Sequence, residues 1–319
     1  MRRRSIAATV TIVAAATAAA LTGCAADSRG QEPGTSPRPT NEVRELTRAE
    51  QGKVEHAEER LIQQCMRRQG LDYRVVPRVD ADTDRAFSYR LVRDDVAWAR
   101  KHGYGERLRR AFFEEREREQ AVSPGKALSS GKALSSAERE RFATALQGPS
   151  DTPMLSVRLP AGGTVRSPNG GCTRTARDEL YGDARAFFHA DKIATNLSAV
   201  YMPRLMRDPR FTAALKAWSR CMRSETGRGY ADPEAARADA QKSGDGLSDE
   251  RAHAVEVGIA VAEAECARGI TLHSTLVRLD GEYGAPVRER YAEEIADDRR
   301  MKLAALRRAD RLEAGAGAR

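Results

Sequence analysis

The stretch Thr47–Tyr73, TRAEQGKVEHAEERLIQQCMRRQGLDY, decides the fold class. Thr47 and Glu50 form a capping box, in which hydroxyl and carboxylate each satisfy the other's orphan backbone N–H. Behind them Val54, Ala57, Leu61 and Cys65 recur at three- and four-residue spacing, so they share one helix face. Cys65-Met66-Arg67 closes the helix, a glycine supplies the stop and Tyr73 follows. This grammar predicts an amphipathic helix whose end carries a disulfide.

The same grammar recurs outward along the chain. Ser135 and Glu138 form a second capping box, with a stop expected near Gly148-Pro149. Asp208-Pro209 and Asp232-Pro233 each place an N-cap before a first-turn proline. Phe211, Leu215, Trp218 and Met222 stripe one helix, so Trp218 is expected in the core. Ser248 is expected to cap another helix, with Val255, Ile259, Ala262 and Cys266 along one side. Strand signals are sparse. Met154–Leu159 alternates and Gly162-Gly163 can turn it into a hairpin, while Tyr73–Val76 and Phe87–Val92 are shorter candidates. The expected fold is mostly α, one or more disulfide-stapled helical domains with at most a small β-hairpin or sheet.

Two repeats stand out. Gly125–Ser130 recurs at once as Gly131–Ser136, a tandem hexapeptide that fits a replication slip in a tolerant loop. The helix end around Cys65 is echoed by Cys221-Met222-Arg223, Gly227 and Tyr230, either from an old duplication or from convergence on one way of ending a helix.

The five cysteines divide into one and four. Leu21-Thr22-Gly23-Cys24 closes an apolar run, Ile6–Leu21, behind the basic head Arg2-Arg3-Arg4. That run is short for a spanning helix and reads as a secretory signal. Its end resembles the lipobox of bacterial lipoproteins, and the resemblance implies cleavage before Cys24 and a thioether-linked diacylglycerol on it. Arg3-Arg4-Ser5-Ile6 also resembles a twin-arginine export signal. Cys65, Cys172, Cys221 and Cys266 remain, an even count that in an exported chain reads as two disulfides. Three connectivities are open; Cys65–Cys172 with Cys221–Cys266 is favoured because each then closes one half of the chain. A zinc site is disfavoured by the absence of any C-x-x-C pair or close Cys/His cluster.

The expected organisation is a signal over 1–23, a disordered Pro/Gly/Ser/Thr-rich tether over 24–40, an N-terminal helical half with short strands over 41–207, a C-terminal helical half over 208–313 and a frayed tail over 314–319. The repeated C-M-R…G…Y motif, the segment Asp95–Gly105 and the GGC…LYGD stretch of Gly170–Asp183 resemble uncharacterised secreted proteins of actinobacteria, over nearly the whole mature chain. The resemblance implies export and a helical, stapled body; it implies no activity.

The net charge of +8 does not argue for nucleic acid. Lysines number 8 among 54 basic residues, a skew that fits high-GC codon usage, and acidic residues are interspersed throughout. Removing Arg2, Arg3 and Arg4 lowers the charge from +8 to +5. The expected partners are the membrane, through lipidated Cys24, and a cell-wall polymer or protein.

No H-E-x-x-H, G-x-S-x-G, Walker loop or strand-borne G-x-G-x-x-G is present, so no enzyme class and no cofactor is indicated. Glu250, His253 and Glu256 stand three apart and could converge on a metal, as could His56 with Glu59. Against this, acidic neighbours at that spacing are little commoner than chance, and His253 should point away from the apolar stripe toward solvent. Trp98 and Tyr104, beside Gly103 and Gly105, are candidates for a sugar-stacking platform. The leading expectation is a non-enzymatic, lipid-anchored binding or scaffold protein on the extracytoplasmic face of the cell membrane. A helical metal-binding lipoprotein or a solute receptor is the alternative.

Overall fold

The computed structural model describes residues 43–75, 80–88, 91–122 and 135–317. The expected signal 1–23, Cys24, the tether 24–40 and nearly all of the tandem hexapeptide lie outside the described residues. Among the described residues the chain forms helices and one antiparallel hairpin, joined by two disulfides.

The first core gathers α1 (Arg48–Arg68), α5 (Ser136–Gln147), α6 (Gly171–Tyr181) and α13 (Ala292–Gly317). The Thr47/Glu50 and Ser135/Glu138 capping boxes open α1 and α5 as expected. Val54, Leu61 and Met66 of α1 meet Leu180 of α6 and Ala305 and Ala309 of α13. The second core is built from α3 (Val96–His102), α8 (Ser198–Leu205), α9 (Pro209–Thr226), α10 (Pro233–Gly244), α11 (Asp249–Gly269) and α12 (Leu272–Arg290). Phe211, Trp218 and Met222 form its centre. In the third, β1 (Met154–Arg158) and β2 (Thr164–Pro168) pair with Val157 opposite Val165. Leu155 and Val157 bury one face of the hairpin on α7 (Ala184–Ala194), against Phe188 and Ile193. The remaining helices are α2 (Ala81–Phe87) and α4 (Glu106–Val122).

Cys65 pairs with Cys172 and Cys221 with Cys266. In the repeated helix end, Gly70 N–H donates to Arg67 O and Leu71 N–H to Met66 O, both at 3.0 Å, a Schellman motif. Gly227, left-handed at φ 70°, ends α9 in the same role. The likeness extends to the tyrosine. Two residues before each cysteine a side chain donates to the tyrosine carbonyl, Gln63 to Tyr73 at 2.8 Å and Ser219 to Tyr230 at 2.5 Å. The partner cysteines differ, however: Cys172 is the second residue of α6, whereas Cys266 sits in the last turn of α11. The repeat is a local device for ending a helix and returning the chain.

Four expectations need correcting. Tyr73, Arg74 and Val75 form no strand, because the Tyr73 carbonyl is taken by Gln63 and among the described residues no second strand lies alongside; Val76 lies outside the described residues. Phe87 ends α2 and residues 91–92 are bends, so the described part of Phe87–Val92 is not extended. Ser248 is at the N-cap of α11, but its hydroxyl makes no cap bond. The division at 207/208 separates no cores: Val92, Val96 and Tyr104 pack into the second, and Ala305 and Ala309 of α13 complete the first.

Candidate functional site

Helix α11 is rich in alanine, and Ala260, Ala262, Ala264 and Ala267 let neighbouring helices approach closely. Glu256 and Glu263 lie within this contact, seven residues and about two turns apart, so both look the same way. Glu263 is 0% exposed. It accepts from the Tyr104 hydroxyl at 2.7 Å, from Arg237 of α10 at 3.0 Å and from the Arg93 N–H at 3.4 Å. Glu256 accepts from the Tyr104 N–H at 2.7 Å and the Glu106 N–H at 3.1 Å. Its carboxylate therefore caps α4 from another helix, where it also complements the helix dipole. Tyr104 links the pair, by backbone to Glu256 and by hydroxyl to Glu263.

Glycines make this possible. Gly103 has φ 58°, and a Cβ there would stand 2.7 Å from Cγ of Glu256. Gly105 has φ 90°, and its Cβ would stand 2.6 Å from that of Ala86. Gly103→Ala combines left-handed strain with a clash against a buried side chain. It is expected to lower stability by about 2 kcal/mol, read as a lower urea midpoint at unchanged slope.

Burial pushes the Glu263 carboxyl up, partly offset by Arg237 and Tyr104. Burial, then the Glu263 charge, drives the Tyr104 phenol far above its usual range. Arg93, pushed down to about 10 by burial and then by neighbouring Arg237, has a side chain that is mostly enclosed. These shifts belong to a closed polar network whose carboxylates are occupied by the protein itself. The cavity beside Trp98 and Arg93 is about 20 Å³, room for roughly one water.

The metal candidates do not converge. Glu250 is exposed, Glu256 is committed to two backbone N–H groups, and His253 Nδ1 lies 3.6 Å from Glu256 Oε2. His253 is also half-buried rather than at solvent, because α11 is covered on more sides than its apolar stripe shows. Among the described residues no three His, Cys, Asp or Glu side chains gather as a metal site requires. Trp98 and Tyr104 are 8% and 4% exposed, so neither offers a face for sugar stacking. The Arg85 and Arg93 guanidinium groups lie 5.0 and 5.2 Å from the Trp98 ring centre, while Gly103 and Gly105 fold Tyr104 onto α11. Two unrelated sets of candidates, Trp98/Tyr104 and His253/Glu256, thus meet in one structural knot. Sequence reading missed Glu263 and Arg237; the seven-residue spacing of Glu256 and Glu263 was the available signal.

A broad groove of about 1180 Å³ runs along α1 past α2, α4 and α13. Some of its charges are paired across it, Arg48 with Asp84, Arg299 with Glu45 at 2.5 Å and Lys302 with Asp298 at 2.9 Å, while Glu55 and Glu59 add carboxylates to the lining. Lys302 is further held by Asp191 at 3.0 Å. A wide groove of mixed charge suits an extended polymer or peptide better than a small molecule.

No family model matches this chain. Neither a curated protein nor a solved structure gives a match.

Proposed function

We propose that this chain is a lipid-anchored, non-enzymatic binding or scaffold protein on the extracytoplasmic face of a cell membrane. The observation that carries the reading is the partition of the cysteines: four form two disulfides, and the fifth is Cys24, at the end of the apolar run Ile6–Leu21. Disulfides of this kind belong to oxidising compartments, which fits export. The lipobox-like Leu21-Thr22-Gly23-Cys24 fits anchoring by acyl chains, stable when two or more are inserted. The groove along α1 supplies an extended surface for a cell-wall polymer or protein partner.

The test begins with intact mass and membrane fractionation of the protein from its own cells. Wild type should carry a diacylglycerol on Cys24 and sediment with membranes, while Cys24→Ser should move to the soluble fraction. Unmodified Cys24 in a soluble wild-type protein overturns the anchor. Hydrolysis of wall fragments by the purified protein overturns the non-enzymatic part.

A further inference from the structure

Three phenylalanines form a triangle at the surface. Phe87 ends α2, and Phe112 and Phe113 lie on α4; their ring centres are 5.0, 5.7 and 5.6 Å apart, all in edge-to-face geometry. Phe113 is 53% exposed and Phe87 41%. Mutually packed aromatic rings left in water mark a contact surface, since isolated exposed apolar residues are ordinary but clustered ones are not. Arg116 lies over the Phe112 ring at 5.5 Å, with an aliphatic stem that can lie along an apolar surface while its charge stays wet.

The position of the triangle selects its occupant. Phe112 lines the same groove as Leu46 and Arg48, and Arg48 is paired with Asp84, one turn before Phe87 on α2. The triangle and the entry of the chain into the described body, at exposed Val43 two residues before Glu45, thus border the same groove, which Glu45 and Phe112 both line. Residues 25–42 can span roughly 60 Å when extended and about 25 Å as a coil. A tether of that reach holds the body at an effective concentration near millimolar over the bilayer, where two inserted rings suffice for contact. We propose that Phe87, Phe112 and Phe113 seat the body on the lipid surface, with the rings at the headgroup–acyl boundary. The proposal rests on the lipid-anchor reading. Because α4 carries both signs of charge around the rings, Arg109 and Arg110 before them and Glu114, Glu115 and Arg116 after them, the contact is apolar and insensitive to salt.

The test uses the full lipidated chain in phosphatidylethanolamine–phosphatidylglycerol vesicles. An environment-sensitive dye is placed at Phe113→Cys or, as an exposed control, at Val277→Cys. Shallow spin-labelled lipids should quench the dye at 113 at least two-fold, equally in 0.5 M salt, and leave 277 bright. No quenching at 113, equal quenching at both positions, or loss in high salt overturns the proposal. So does a vesicle-free dimer abolished by Phe87→Ser/Phe113→Ser, which would assign the patch to a second copy. Intact mass reads the anchor independently. If Cys24 is unmodified the anchor reading falls, and the patch is judged by vesicle flotation of the soluble chain. Phe87→Ser/Phe113→Ser should weaken that flotation at least ten-fold; unchanged flotation overturns the proposal. Circular dichroism and retained disulfides establish that each variant is folded.

Discussion

Replacing Cys65 and Cys172 together by alanine should cost about 5 kcal/mol, and replacing Cys221 and Cys266 about 4 kcal/mol, by the chain-entropy estimate for loops of 107 and 45 residues. The reason is that each bridge limits the freedom of the unfolded chain, and the longer loop loses more. Alanine is the appropriate replacement, because Cys172 and Cys266 are almost fully buried and a serine hydroxyl there would need a new partner. The pairing makes a sharper demand. Cys65→Ala and Cys172→Ala should each lose nearly the whole amount, and the double variant little more. Urea unfolding of the four single and two paired variants checks this, and additive losses within a pair would contradict the connectivity.

Arg237→Ala should cost about 3–5 kcal/mol, because it leaves the carboxylate of Glu263 buried without its cation. The loss should also depend on pH. Burial raises the folded-state pKa of Glu263 above its ordinary 4.5, so above that value the unfolded chain gives up its proton first. The native state then holds more protons, and stability falls as pH rises through the window between the two pKa values. Arg237 narrows that window; its removal widens it upward. Arg237→Ala should therefore be closer to wild type at pH 4.5 than at pH 7.5, and adding Glu263→Gln should recover much of the difference at pH 7.5. Melting curves at the two pH values decide it: an equal deficit at both would mean that Arg237 acts by packing over Tyr104 and not by charge.

The helices were legible because their ends are written in local chemistry. Thr47 with Glu50, Ser135 with Glu138, Asp208-Pro209 and Asp232-Pro233 each act within one turn, so no distant residue was needed to place them. The hairpin was equally local, turned at Gly162-Gly163 and alternating through Leu155 and Val157. The polar knot was legible only in the seven-residue spacing of Glu256 and Glu263. Glu263 reads as one more surface acid in a sequence crowded with them, and its partners Tyr104 and Arg237 stand 159 and 26 residues away. His253 was misjudged for the same reason: a helix packed on several sides hides residues that a single apolar stripe assigns to solvent. The division at 207/208 does not follow the cores because alanines such as Ala305 and Ala309 carry no strong signal alone, although both are fully enclosed against α1 and α6.

The order of the disulfides carries a kinetic consequence. Along the described chain the first cysteine pairs with the second and the third with the fourth. Under the proposed export, and for delivery of an unfolded chain amino end first rather than by the twin-arginine route, Cys65 and then Cys172 emerge before Cys221. Oxidation in order of emergence thus yields the native pairs directly, without the slow reshuffling that crossed or nested bridges require. The last helix to emerge, α13, then closes over a bridge already made between α1 and α6.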